Sequence, residues 1–232
     1  MTVNPEKILR TTAPADGAGP KAPARTRAKK SAEPAAKKRL PASERRAQLI
    51  DVARDVFLKS GREGVSTHQI ADAAGVNVAL LYQHFRSSTE LFDVAVLRPL
   101  VERLEERLAQ AKAAGPAAGP PRKFLAEMHV ELLGLLVEVA PMLSIALFGD
   151  QAAGRQFYLD HIEPLIQEWL TATYRRLDAS HRPADPAMVA KAVFGIHITL
   201  ALYANLLSVT LDVAAVARDV SDFVYLGFFE PA

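Results

Sequence analysis

The sequence predicts an all-α protein with a small N-terminal head of three helices and a larger helical body. Three observations carry this. Apolar residues recur at steps of three and four through the chain, with no period-two alternation and no internal repeat. Clusters of Gly and Pro cut the rest into helix-length segments. Within residues 43–91, two short helices are joined by a tight glycine turn, the pattern of a helix-turn-helix.

In chain order, residues 1–42 are rich in Ala, Pro, Lys and Arg and almost devoid of large apolar side chains. Such a segment cannot offset its chain entropy by burial, so a disordered basic arm is expected. It reads either as an arm that neutralises phosphates or as a solubilising tail. The head follows at 43–88. Its first helix places Leu49, Ile50, Ala53, Val56 and Phe57 on one face, and Gly61 and Gly64 stop it. Ser66 caps the second helix, Gly75 makes the turn, and Asn77 caps a third helix with Leu81 and Phe85 inward. A short helix presented in this way fits a DNA major groove.

The body is expected over 89–232. A long helix spans 89–113, bent at Pro99, and its Glu102, Glu105 and Glu106 alternate with Arg103 and Arg107 as a solvated face. A Gly/Pro/Ala loop covers 113–121. Further helices are expected over 123–139, from Pro141 to about Gly149, over 155–177 with a kink at Pro164, over 186–211, and from a cap at Asp212 to about Phe228. The uncharged run 192–209 is almost long enough to span a membrane. It carries His197, Thr199 and Asn205 and lacks aromatic and basic anchors, so a buried helix at a subunit interface is expected and no membrane partner.

Charge is unevenly spread. Residues 1–46 hold twelve Lys and Arg against four Asp and Glu, while the whole chain carries a formal net charge of only +2. A basic end on an acidic body points to a nucleic-acid end. There is no cysteine, so disulfides and thiolate sites are excluded, and no apolar stretch at the start reads as a secretory signal. No phosphate loop, G-x-S-x-G elbow or His-Glu-x-x-His helix is present, so no enzyme, metal or cofactor is expected. His129, His161 and His197 lie singly on apolar helices.

The span 45–91 resembles the head of the tetracycline-repressor (TetR) family of bacterial regulators. The residues that carry it are Ile50, Ala53, Phe57, Gly61, Ser66-Thr67, Ile70-Ala71, Ala74-Gly75-Val76-Asn77, Leu81-Tyr82, His84-Phe85 and Ser87 with Leu91. The chain departs from the family pattern at Ala79 (a Gly there), Leu80 (often Thr) and Ser88 (a Lys). The missing Lys removes a phosphate contact that Arg86 or the arm would supply.

The resemblance implies a cytoplasmic, bacterial homodimer, associated with the nucleoid when bound to double-stranded DNA, that reads a near-palindrome. The body becomes a ligand-binding and dimerisation domain, and effector binding moves the long helix after the head. The expected DNA contacts are Ser66, Thr67, His68, Asn77, Val78, Ala79, Leu80, Tyr82, Gln83, His84 and Arg86. Among these, Tyr82, His84, Ser66 and Thr67 fall on phosphates by family position. Val78, Ala79 and Leu80 offer only apolar contact, suited to thymine methyls, although Leu80 also reads as partly core. Gln83 can pair with adenine, and polar readout extends to His68 and Asn77.

A small hydrophobic effector is expected among Met128, His129, Leu132, Leu136, Leu147, Phe148, Phe157, His161, Trp169 and Phe194, with no charge clamp for phosphate or carboxylate. Each of these residues also reads as ordinary core. The dimer interface is expected at Ile196, Leu200, Tyr203, Leu207, Val216, Val220 and Phe223, on two helices too apolar for one contact face. A ligand-released repressor is the leading reading. An activator and a DNA-organising protein that works through the basic arm are the alternatives.

Overall fold

Helix α1 (Ala42–Ser60) buries Leu49, Ala53 and Phe57 and stops at Gly61, whose φ of +72° suits glycine. The structure, a computed structural model, describes residues 41–115, 119–176 and 185–228. The basic arm expected over 1–42 therefore lies almost wholly outside the described residues. Helix α2 (Thr67–Ala74) and helix α3 (Val78–His84) follow. Ile70, Leu81 and Phe85 close over Phe57 to form the head's core.

That core does not end at residue 88. Leu91, Phe92, Val94, Ala95 and Val96 belong to it, and the Phe92 ring meets Phe57 edge-on at 5.1 Å. These residues lie on α4 (Ser88–Phe92) and a π turn (Asp93–Leu97), which runs straight into α5 (Arg98–Ala113). The head is thus rooted in the helix that leads into the body.

Pro99 accounts for the π turn. A proline has no N–H to offer the carbonyl four residues back, here that of Ala95. The backbone widens so that Arg98 N–H reaches the Asp93 carbonyl. Arg54 on α1 donates its Nε to the Ala95 oxygen at 2.8 Å, which ties α1 to the π turn. The same solution recurs at Pro164. A π turn (Tyr158–Ile162) joins α7 (Gln151–Phe157) to α8 (Glu163–Arg175), and Glu163 N–H reaches the Tyr158 carbonyl.

Pro141 behaves differently. Two helices are expected around it, yet α6 (Pro121–Phe148) runs through it as one helix of 28 residues. Val139, Ala140, Leu143 and Ala146 are buried on both sides of the proline, and tertiary packing across the break holds the helix together. Helix α9 (Pro186–Leu207) is shorter than expected, because Ser208 takes up a left-handed conformation (φ 52°) and ends it before residue 211. Asp212 then caps α10 (Val213–Phe228), accepting from Ala215 N–H at 3.0 Å.

In the body, α6 is the spine, flanked by α9 and α10, while α5 packs on α8. An ion pair between Arg122 and Asp222 at one end, and Gly134 beside Val213 at the other, make α6 and α10 antiparallel. Helices α6 and α9 are long and apolar enough to cross a membrane by length and composition; here they pack against each other. Among the described residues no strand element occurs. Leu97 and Met142 touch both the head core and the body core, so the two units share a seam.

Candidate nucleic-acid interface and ligand cavity

The head positions its second and third helices by local chemistry. Ser66 Oγ accepts from Gln69 N–H at 3.3 Å, and Gln69 Oε1 accepts from Ser66 N–H at 2.7 Å, a reciprocal capping box. Gly75 takes a left-handed conformation, and Val76 N–H returns to the Ala71 carbonyl at 2.9 Å. Asn77 Oδ1 accepts from Leu80 N–H at 2.7 Å and starts α3. The side-chain oxygens of Ser66 and Asn77 thus serve as caps in this structure.

With Leu81 and Phe85 inward, α3 turns its other side outward. Ala79, Gln83 and Arg86 are exposed, as is Tyr82 at 51 %, while Val78, Leu80 and His84 are half-buried. From the start of α2, His68 is exposed and Thr67 half-buried. Thr67 Oγ1 and Tyr82 Oη meet at 3.5 Å, linking the start of α2 to α3. Arg46 stacks over the Phe85 ring at 4.9 Å. The arrangement offers hydroxyl, imidazole and guanidinium groups around an apolar tip, a surface able to contact both phosphates and base edges.

A cavity of about 270 Å³ lies in the body between α5, α6, α8 and α9. Five of the ten expected residues line it: Met128, Leu132, Leu136, Trp169 and Phe194. The other five do not. His129 turns toward α9. Leu147 and Phe148 follow Leu143, the last α6 residue on the cavity's lining, at the C-terminal end of the helix. Phe148 is 70 % exposed. Phe157 packs in the core with its ring 5.1 Å from that of His161, which is itself exposed.

Sequence reasoning missed Leu104, Leu108 and Ala111 of α5, together with Ile162, Leu165 and Ile166. The α5 stripe recurs at steps of four and three, a readable signal hidden by the charges beside it. Charged groups also line the cavity, Arg107 and Arg176 together with Glu127 and Glu131. Arg107 forms an ion pair with Glu131. Arg176 donates Nε to the Gly115 carbonyl at 2.8 Å and lies over the Phe124 ring at 4.5 Å.

His129 and His197 form a buried pair between α6 and α9. His197 Nδ1 donates to the Val193 carbonyl at 2.7 Å, so its Nε2 accepts from His129 Nδ1–H at 3.0 Å. His129 Nε2 is left as an acceptor with no partner among the described residues. Burial, then the neighbouring His197, lowers the His129 pKa to about 3, and burial lowers that of His197. A histidine with a depressed folded pKa takes up its proton more readily when unfolded. Stability is therefore complete above about pH 6.5 and falls as pH drops toward 3. At pH 5 the His129 contribution amounts to about 2 kcal/mol. Urea denaturation at pH 7.5 and pH 5 should show this loss, and His129→Leu should lack the His129 part of it while keeping that of His197. An equal loss in the variant would assign the acid sensitivity to other groups.

The outer face of α9 and α10 is apolar. Tyr203, Leu206, Leu207, Phe223 and Leu226 are exposed, Leu206 at 74 % and Phe223 at 67 %. Of the other expected interface residues, Leu200 and Val216 are half-buried, and Ile196 and Val220 pack partly on the body's own core.

Residues 49–95 match the family model described as bacterial regulatory proteins, tetR family. Over 66 residues, 28% of this chain, the sequence is 47% identical to the HTH-type transcriptional activator FasR of Mycolicibacterium smegmatis. Over 62 residues, 27% of the chain, it is 37% identical to the HTH-type transcriptional repressor KstR2 of Rhodococcus jostii. Each match spans 30% of the relative's own length. The fold is similar to that of FadR from Bacillus subtilis, solved in complex with stearoyl-CoA, with a TM-score of 0.55 at 17% identity over 77% of this chain and 96% of that one.

Proposed function

We propose that this chain, whose head belongs to the TetR family of bacterial regulators, is a ligand-responsive transcriptional regulator, and that it acts as a repressor. It would work in the cytoplasm as a homodimer, each head reading one half of a near-palindromic operator. The exposed apolar face of α9 and α10 is the surface for the second copy. At the operator, Gln83 would read a base edge, Val78, Ala79 and Leu80 would lie against thymine methyls, and Thr67, Tyr82, His84 and Arg86 would hold phosphates.

One observation carries the coupling between ligand and DNA. Helix α5 lines the cavity with Leu104, Leu108 and Ala111 and continues through the π turn into residues of the head's own core. A ligand that displaces α5 would therefore act on the head through continuous backbone, at a π turn where Pro99 has already removed a helical hydrogen bond. An activator is the second reading, favoured by the FasR match; the head's geometry is the same for either sign of control.

Trp169 is the single tryptophan of the chain, and it lines the cavity. An apolar effector should therefore change its emission and, over the same concentration range, change operator affinity by about 5- to 150-fold. An emission change with constant operator affinity would contradict the coupling. Constant emission across a panel of apolar compounds would contradict the effector role of the cavity.

A further inference from the structure

The apolar cavity does not close on itself. Ala114 and Arg176 line it and also line a surface groove of about 700 Å³ formed by the end of α5 and the end of α8. Ala114 and Arg176 are thus a wall shared by two spaces that differ in chemistry. The inner one is walled mainly by apolar residues, among them Leu132, Leu136, Trp169 and Phe194, with Glu127 and the Arg107–Glu131 ion pair also on its lining. The groove carries Lys112, Arg175 and Arg176 against a single carboxylate, Glu168, which pairs with Lys112.

Arg176 stands at the junction in a fixed pose. Its Nε is spent on the Gly115 carbonyl, and its guanidinium plane rests on Phe124, one of the cavity's own walls. A guanidinium held in this way presents its remaining N–H groups without further ordering cost, which suits recognition of a carboxylate or phosphate. Arg175 makes no ion pair among the described residues and lines the same groove. An uncharged hydrocarbon would leave these cations unused, whereas an amphiphile would satisfy both halves.

We propose that the effector site is bipartite: the cavity takes an apolar chain, and the groove of Lys112, Arg175 and Arg176 takes an anionic head group joined to it. This rests on the reading of the cavity as an effector site. The ligand class is a hydrocarbon chain ending in a phosphate or carboxylate, with the charged end at Arg176 and the chain running inward toward Trp169.

The test uses the full chain, Trp169 emission and three probes that share one chain: dodecanol below its solubility limit, and dodecanoate and dodecyl phosphate below their micelle concentrations. The anionic probes should bind about tenfold more tightly than dodecanol, and that advantage should shrink as salt is raised. A tighter dodecyl phosphate than dodecanoate would select phosphate as the head group, and the reverse order carboxylate. Lys112→Gln combined with Arg175→Gln alters two groove residues that do not line the apolar cavity. It should cut the advantage to about twofold and leave the apo protein's operator affinity as it was. Arg176→Gln should abolish the advantage. Equal binding of all three probes to the wild type would overturn the head-group site and leave the cavity reading intact, as would an undiminished advantage in the groove variants. Failure of all three to bind would overturn both.

Discussion

Leu206→Glu combined with Phe223→Glu should convert the protein to a monomer and lower operator affinity by about three orders of magnitude, toward its non-specific level. Both side chains are already largely exposed in the single chain, at 74 % and 67 %, so the fold has no need of them. In a two-fold dimer each substitution occurs twice across one interface. It would set four carboxylates against an apolar face formed by Tyr203, Leu207 and Leu226. Removing a carboxylate from water without a partner costs several kcal/mol, more than such an interface can offset. Sedimentation equilibrium and fluorescence anisotropy on an operator duplex would measure both effects, with far-ultraviolet circular dichroism unchanged. A double variant that stays dimeric and keeps its operator affinity within a few-fold would place the interface elsewhere.

Gly154→Ala should destabilise the body by about 3 kcal/mol, a fall in Tm of about 10 °C for a protein of this size. The residue is buried on α7 where that helix turns back against α6. A Cβ built there would lie 2.8 Å from the Leu147 carbonyl carbon and 3.2 Å from its Cα. Both are backbone atoms, so no side chain can swing away, and the corner between α6 and α7 must open. Gly134→Ala is the contrasting case. Its added methyl would meet only Val213 Cγ1 at 3.9 Å, ordinary contact, inside helix α6. That substitution should be neutral or stabilise by up to about 1 kcal/mol, since alanine is the better helix residue. Thermal melts of the two variants side by side would read the difference. Equal melting temperatures would mean that the α6–α7 corner yields at little cost.

Legibility in the sequence followed the range of the interaction. Gly61, Ser66, Gly75, Asn77 and Asp212 act on residues within one turn, and each caps or ends a helix as its type and spacing predict. Leu81 and Phe85 face inward because a helical period fixes them to the same side as their neighbours. Where tertiary packing decides, the reading failed. Pro141 should break a helix on local grounds, but the buried face on both sides of it keeps α6 whole. Ser208 ends α9 in a conformation that its residue type does not advertise. The head's core extends past residue 88 because Phe92 packs on Phe57, a contact 35 positions apart.

The cavity was half legible for the same reason. Its α6 residues share a stripe that periodicity reveals, Met128, Leu132 and Leu136. Phe148 has the right chemistry, but at the end of α6 its side chain is exposed rather than turned into the cavity. Arg107 and Arg176 sit among charges that read as solvated, and only the packing of α5 on α8 turns them toward one space. His129 and His197, read as isolated residues, find each other across α6 and α9.

The central claim is that two copies of this chain read one symmetric DNA site. Selection from a random duplex library with the full chain, at about physiological salt where non-specific phosphate binding is weak, tests it most directly. A symmetric dimer should enrich a two-fold symmetric motif whose half-sites lie about one helical turn, or a multiple of it, apart. Enrichment of no motif, or of one asymmetric half-site bound by a single chain, would contradict it.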